Sequence, residues 1–223
     1  MNTIWKYYKL EMTFLERLCA SVPASPDLIA AWLEARKPRA IAPGRKTIAE
    51  IQEEVFQTIT EDQKEEANLL VFQQVDGGLV VRASTIRSHL KECARTISSL
   101  YVGKIKGERS FATRFINSVY HDEKAYWIPI LKQDGTPFTE PDGKREKPIH
   151  VRGPRGEPIN ALKCFECVDE PKIAVTLKVL GRAVSLNDLE TVLSYGGVHG
   201  YGGERGDGEG RYVFSIKEIN HVG

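Results

Sequence analysis

Four cysteines in 223 residues are too few for a disulfide scaffold. Cys164 and Cys167 make a single CxxC, with no second CxxC and no histidine pair at zinc spacing; Cys19 and Cys93 stand alone. Alternation of Leu162, Cys164 and Glu166 predicts a strand there, so these thiols read as packing groups. No apolar run approaches the roughly 18 residues of a membrane span. The N-terminal MNTIWKYYKLEMTF alternates apolar and charged residues, unlike a signal peptide. The expectation is a cytoplasmic protein without membrane contact. There is no Walker loop, no HExxH and no serine-nucleophile motif, so no cofactor and no metal are expected. Charge of one sign is lacking too: 31 Lys+Arg against 30 Asp+Glu leave a net charge of +1. That excludes a uniformly cationic polyanion binder.

What the chain has instead is glycine in one place. Eight of the fifteen residues from Gly196 to Gly210 are glycine, against 19 in the whole chain. His199, Tyr201, Arg205 and Arg211 sit in or beside this stretch. Glycine permits positive φ and close backbone approach. A row of N–H groups in such a loop can hold a phosphate, and the arginines can add bidentate contacts. A long turn between helix and strand accounts for the composition equally well.

Charge is also unevenly placed. From Arg82 to Arg155 there are 15 Lys+Arg and 8 Asp+Glu, a local charge of +7, leaving −6 for the remainder. A basic middle on a near-neutral chain suits local polyanion contact or a solvated face.

Periodicity places the elements. Residues 4–14 alternate as a half-buried strand, with Tyr8, Leu10, Met12 and Phe14 on one side and Tyr7, Lys9, Glu11 and Thr13 on the other. Ser25-Pro26 opens a helix that Lys37-Pro38 ends, and an acidic amphipathic helix occupies 47–66. Residues 69–82 read as a hairpin turning at Asp76-Gly77-Gly78. Ser84 is expected to cap a helix with Ile86, Leu90, Cys93, Ile97 and Leu100 on one face and Arg87, Lys91 and Arg95 in a row on the other. Residues 102–114 read as a basic loop containing Lys104, Lys106, Arg109 and Phe111. A strand at 125–131 precedes a polar excursion, 132–159, with five prolines. Lys144, Arg145, Lys147, Arg152 and Arg155 make its second half basic, and the whole excursion reads as an extended hairpin arm or a loose insertion. Strands follow at 160–168 and 172–180. Ser185 and Asp188 form a capping box for a helix over 186–194, which Gly196 or Gly197 stops. The last strand is 211–216.

The order strand, short helix, glycine loop, strand resembles the RAMP superfamily, RNA-binding proteins of CRISPR systems with a βαββαβ core. Their signature GhGxxxxxGhG, with h apolar, is matched by Gly200-Tyr201-Gly202, five residues, then Gly208-Glu209-Gly210, with Glu209 departing from the apolar position. The motif covers about the last 45 residues. The chain is also similar to phage and prophage proteins that share this loop. The resemblance implies an α+β, ferredoxin/RRM-like fold over one domain, 1–223, with insertions at about 19–66 and 132–159. It implies a protein of the bacterial or phage-infected cytoplasm that assembles head-to-tail along single-stranded RNA or DNA.

Three functions stay open. The first is a non-catalytic single-strand binder. It would use Arg87, Lys91, Arg95, Lys104, Lys106, Arg109, Lys144, Arg145, Arg152 and Arg155. To these the loop adds Gly200, Tyr201, Gly202, Arg205, Gly208, Gly210 and Arg211, and Tyr201, Phe111 and Tyr126 are candidates for stacking. The second is a metal-independent endoribonuclease with His199 as acid or base, His89 and His121 being alternatives. The third is a protein-interaction module or inhibitor on the same fold. Glu204, Asp207 and Glu209 in the loop could hold a metal or repel phosphate.

Overall fold

The computed structural model describes residues 4–24, 69–101, 111–122, 126–152 and 158–220. The helices expected at 25–37 and 47–66 lie outside the described residues, as do Lys104, Lys106, Arg109 and Arg155. The chain divides into two units. One comprises Met1–Cys19, Gln73–Pro141 and Val168–Gly223; the other comprises Ala20–Phe72 and Asp142–Cys167.

The first unit is built on an antiparallel sheet. Strand β1 (Trp5–Phe14) lies between β11 (Lys172–Leu180) and β12 (Tyr212–Ile219). Two strands share the far edge of β11: β7 (Val119–His121) lies opposite Leu177–Val179, and β8 (Trp127–Leu131) opposite Lys172–Ile173. Strand β6 (Gly78–Arg82) pairs with β8, and β5 (Gln73–Val75) with β6. Their turn, Asp76-Gly77, has φ of 51° and 77°, the double left-handed geometry that a tight hairpin requires. A short β2 (Arg17–Cys19) follows β1.

Among the described residues this unit also has three helices: α1 (Ala83–Tyr101), α2 (Phe111–Ser118) and α3 (Leu186–His199). Reading β1, α1, β7, β11, α3, β12 along the chain gives βαββαβ, and the sheet order β12-β1-β11-β7 is that of a ferredoxin/RRM-like fold. The fold class is therefore α+β with an antiparallel sheet, as expected. Strand period decides which side is covered. Tyr8, Leu10 and Met12 stand opposite Leu177, Val175 and Ile173. All are buried, with Ile86, Leu90 and Ile97 of α1 and Leu189, Val192 and Leu193 of α3. Each such side chain contributes about 1.5–3 kcal/mol by leaving water.

Several local expectations are corrected. Ser84 lies inside the first turn of α1, which starts at Ala83. Residues 111–118 are helix rather than basic loop, because Phe111 and Phe115 fall one turn apart and are both buried. The helix over 186–194 continues to His199. Its expected capping box is present: Ser185 Oγ accepts the Asp188 N–H at 3.1 Å, and Asp188 Oδ2 accepts the Ser185 N–H at 2.9 Å. Arg114 of α2 reaches the same carboxylate at 3.1 Å and donates to the Ala183 carbonyl. Asp188 is held below the usual carboxylate range: burial pushes it up, but the Ser185 and Arg114 donors outweigh that.

In the excursion at 132–159 the first half is not an arm. Phe138 is buried, its N–H donates to Ile130 O at 2.9 Å, and Leu79 N–H donates to Phe138 O at 2.7 Å. The hairpin belongs to the second unit, where β9 (Gly143–Arg152) pairs with β10 (Pro158–Asp169) from Cys167↔Gly143 to Pro158↔Arg152. Strand β4 (Leu69–Val71) runs parallel to β10, and β3 (Val22–Pro23) antiparallel to β4. Cys164 and Cys167 are three apart on β10, so the pleat sends their thiols to opposite faces. No described helix is long and apolar enough to cross a membrane.

Candidate nucleic-acid interface

Five glycines of the 196–210 stretch, Gly196, Gly197, Gly200, Gly202 and Gly210, stand where a Cβ would clash. A Cβ on Gly196 would stand 2.4 Å from Tyr212 Oη, and one on Gly197 2.4 Å from the Tyr212 carbonyl oxygen. They let α3 lie against β12, which is why neither stops the helix. Gly200, at φ 82°, stops it, donating to Gly196 O at 2.8 Å. Beyond it the two arms of the loop cross. Tyr201 N–H donates to Gly210 O at 2.8 Å, and a Cβ on Gly200 would come within 2.6 Å of Glu209 O. Gly202 packs against Leu18 and Cys19. Gly203 N–H donates to Cys19 O at 2.9 Å and Gly210 N–H to Arg17 O at 2.8 Å. A 3-10 turn at Arg205–Asp207 uses the amides of Asp207 and Gly208. Six loop amides, those of Gly200, Tyr201, Gly203, Asp207, Gly208 and Gly210, are thus donated inside the protein. This corrects the expectation of an anion nest: these N–H groups hold the loop together.

The loop's side chains are engaged as well. Glu209, at the apolar slot of the motif, is buried and meets Arg17 of β2 through Nη2 at 2.9 Å and Nε at 3.1 and 3.3 Å. Arg211 donates to Gly208 O at 3.1 Å and Glu16 at 2.9 Å. Arg205 Nη1 lies 2.9 Å from both Glu92 Oε2 and His199 Nε2, and His199 Nε2 lies 3.2 Å from Glu92 Oε1. Burial raises the Glu92 pKa, but the hydrogen bonds from Arg205 and His199 bring it below the ordinary value. Among the described residues, no group of three or more His, Cys, Asp or Glu is placed to hold a metal ion.

Tyr201 is corrected from stacking residue to core residue. It is 6% exposed, its hydroxyl lies 2.5 Å from Thr85 Oγ1, and burial pushes its pKa up to about 12. Phe111 is buried too, whereas Tyr126 is 55% exposed and stands edge-on to Trp127 at 4.8 Å. His89 is enclosed, with Nε2 3.0 Å from Tyr212 Oη. Burial, then the charges of Arg205 and His199, lower it to about 4, so its ring is neutral near pH 7. Burial likewise raises Cys93 to about 12. His121 is half-buried and bonded to Asp122 O at 3.1 Å.

The row on α1 splits by role. Arg87 donates through Nε to Val119 O at 2.9 Å and through Nη2 to Ile116 O at 3.2 Å, and stacks 4.4 Å over Tyr120. It closes the C-terminal end of α2, where carbonyls lack helical partners. Lys91 is half-buried and lowered in pKa by burial, then by Arg87 and Arg95. Arg95 is exposed. On the hairpin, Lys144 and Arg145 are exposed on opposite faces and Arg152 ends β9. The face of Arg145 also carries Lys147 and Lys163, directly opposite each other, and Phe165, whose ring lies 6.0 Å from Lys163 Nζ. Like charges placed so cost stability.

A further surface was written in the alternation of β1 and completed only by strand pairing. Helices α1 and α3 lie on the Tyr8 side of the sheet. The other side carries Trp5, Tyr7, Lys9, Glu11 and Thr13 of β1. It also carries Lys172, Ala174, Thr176 and Lys178 of β11, and Val213, Ser215 and Lys217 of β12. Lys9 stands opposite Lys217 on one side and Thr176 on the other, and Tyr7 stands opposite Lys178. Lys178 Nζ lies 5.0 Å over the Trp5 ring, which meets Tyr120 edge-on at 5.9 Å. Glu11 is the one carboxylate of these three strands on that side.

No protein-family model matches the chain, and no curated protein matches it. Among solved structures it is similar to a chain in the cryo-EM structure of the Type III-B Cmr-beta bound to cognate target RNA. The identity is 12% and the TM-score 0.40, over 96% of this chain and 61% of that one, so this chain spans about three fifths of the other's length.

Proposed function

We propose that this protein is a non-catalytic single-stranded nucleic-acid-binding protein, with RNA the favoured ligand. The observation that carries the reading is the sheet side opposite the helices, where Lys9, Lys172, Lys178 and Lys217 accompany Trp5 and Tyr7 against one carboxylate, Glu11. Cations that track phosphates beside rings that accept bases are what sequence-tolerant single-strand binding needs. Lysines are compact point charges and give contacts to the backbone rather than to base edges. Arg145, Lys147 and Lys163 on the hairpin, with Arg152 and the α1 cations Lys91 and Arg95, add further phosphate contacts. In this reading residues 1–223 act as one RAMP-like domain carrying its insertions, in the cytoplasm, and copies assemble head-to-tail along the strand.

The test is binding of labelled single-stranded RNA and DNA of about 30 nucleotides across a salt series, with the same samples run on a denaturing gel. Intact strands bound with a steep salt dependence are expected. Replacing Lys9 and Lys217 together by alanine should weaken binding and lower the salt slope by about 1–2. Absence of binding at low salt would overturn the reading and leave a protein-interaction module. Cleaved strands would instead favour an endoribonuclease at His199, which lies beside an arginine and a carboxylate.

A further inference from the structure

Helix α1 carries three basic side chains, Arg87, Lys91 and Arg95, and a single carboxylate, Glu92. That carboxylate is turned to the glycine loop. Oε2 accepts from Arg205 Nη1 at 2.9 Å and Oε1 stands 3.2 Å from His199 Nε2. The three groups come from three elements: α1, the last residue of α3, and the 3-10 turn of the loop. Arg205 of the loop and His199 at the end of α3 converge on one point, and a carboxylate fills it. To a guanidinium, a carboxylate and a phosphate present the same pair of acceptor oxygens. Six loop amides are already donated internally, and at this point the two side chains are the groups that face the carboxylate.

The contact is built to be displaced. His199 Nε2 lies 2.9 Å from Arg205 Nη1 as well as 3.2 Å from Glu92 Oε1. As an acceptor from Arg205 this nitrogen turns a lone pair toward the carboxylate. As an N–H donor to Glu92 it meets the N–H of the guanidinium. One proton cannot satisfy both neighbours. The ring is held in place by Tyr195, stacked at 5.4 Å and 18°. Glu92 has the freedom to leave, since its side chain is 47% exposed against 30% for His199 and 32% for Arg205.

We propose that Glu92 occupies the phosphate position of the glycine loop and gates it, so that Arg205 and His199 take a phosphodiester group only when Glu92 swings away. The identity of the anion rests on the nucleic-acid reading; the gate rests on the cluster alone.

The test uses the full chain with inorganic phosphate as probe, following the His199 ring protons by NMR. Glu92→Gln should bind phosphate about tenfold more tightly than the wild type, as removal of one competing charge implies. Glu92→Asp, which withdraws the carboxylate by one methylene, should give part of the gain and serves if the glutamine variant fails to fold. Adding Arg205→Ala should abolish it. Folded variants with no gain would overturn the gate. Repeating the series with single-stranded RNA separates the two ideas. A phosphate gain without RNA binding supports the gate and sinks the nucleic-acid reading. RNA binding without any phosphate gain does the reverse.

Discussion

Gly210 and Tyr201 cross so closely that a Cβ on Gly210 would stand 2.0 Å from the Tyr201 carbonyl oxygen, and Gly210 also holds φ at 75°. Two independent penalties meet at this residue, a backbone clash and a left-handed conformation. Gly210→Ala is expected to lose about 2–4 kcal/mol. Gly206 has no atom within 4 Å of an added Cβ and no positive φ, so Gly206→Ala should stay within about 0.5 kcal/mol of wild type. Urea melts of the two variants make the comparison; equal effects would mean that the crossing does not hold the loop.

The pairing of Arg17 with Glu209 gives a second test. Arg17→Ala leaves a buried carboxylate without this partner and should cost about 2–3 kcal/mol. Replacing both residues by methionine fills the volume with apolar atoms and should recover most of that loss. Thermal melts of the single and double variants check it. A double variant as unstable as the single would show that packing, not charge, decides this site.

Stability should depend on pH through His89. The ring has its ordinary value of 6.5 in the unfolded chain and about 4 in the folded one. Below pH 6.5 the unfolded chain takes up a proton that the folded chain refuses, so stability falls as pH drops from 6.5 toward 4. The full effect is on the order of 3 kcal/mol. Urea melts at pH 7, 6 and 5 should show this slope in wild type and a flatter one in His89→Gln. Equal slopes would place the titration elsewhere.

Arg87 and Arg95 share a helix face but should behave oppositely. Arg87→Ala loses two carbonyl contacts and the Tyr120 stack, a destabilisation of about 1–2 kcal/mol, and lysine should not rescue it. Arg95→Ala should leave the melting temperature unchanged and weaken nucleic-acid binding. Measuring melting and affinity on both variants assigns each arginine; a stability loss at Arg95 would overturn its placement in the interface.

The legible parts of the fold were those decided locally. Alternation in β1 and β11, the Asp76-Gly77 turn and the Ser185–Asp188 box all follow from neighbours in sequence, and each is present. The parts that were not legible depend on distant partners. Gly196 and Gly197 read as helix stops because nothing nearby shows that Tyr212 packs on them. Arg87 reads as a phosphate ligand because the Ile116 and Val119 carbonyls it holds lie 29 and 32 residues away. Glu209 breaks the motif until Arg17, 192 residues earlier, is placed beside it. The cations of the sheet face were visible one strand at a time; only the register puts Lys9 beside Lys217.

That same register governs how the chain acquires its shape. The first strand has both its neighbours in the last quarter of the sequence, with paired residues between 159 and 212 positions apart. During synthesis β1 emerges long before either partner, and pairing waits until Lys172–Leu180 and Tyr212–Ile219 follow. Loop closure over such distances must precede any reward from pairing, which makes folding slow and leaves an apolar strand edge exposed meanwhile. Chains shortened before residue 172 would keep the Tyr8, Leu10, Met12 and Phe14 row with neither flanking strand to cover it, and aggregation rather than a smaller folded domain is the expected result.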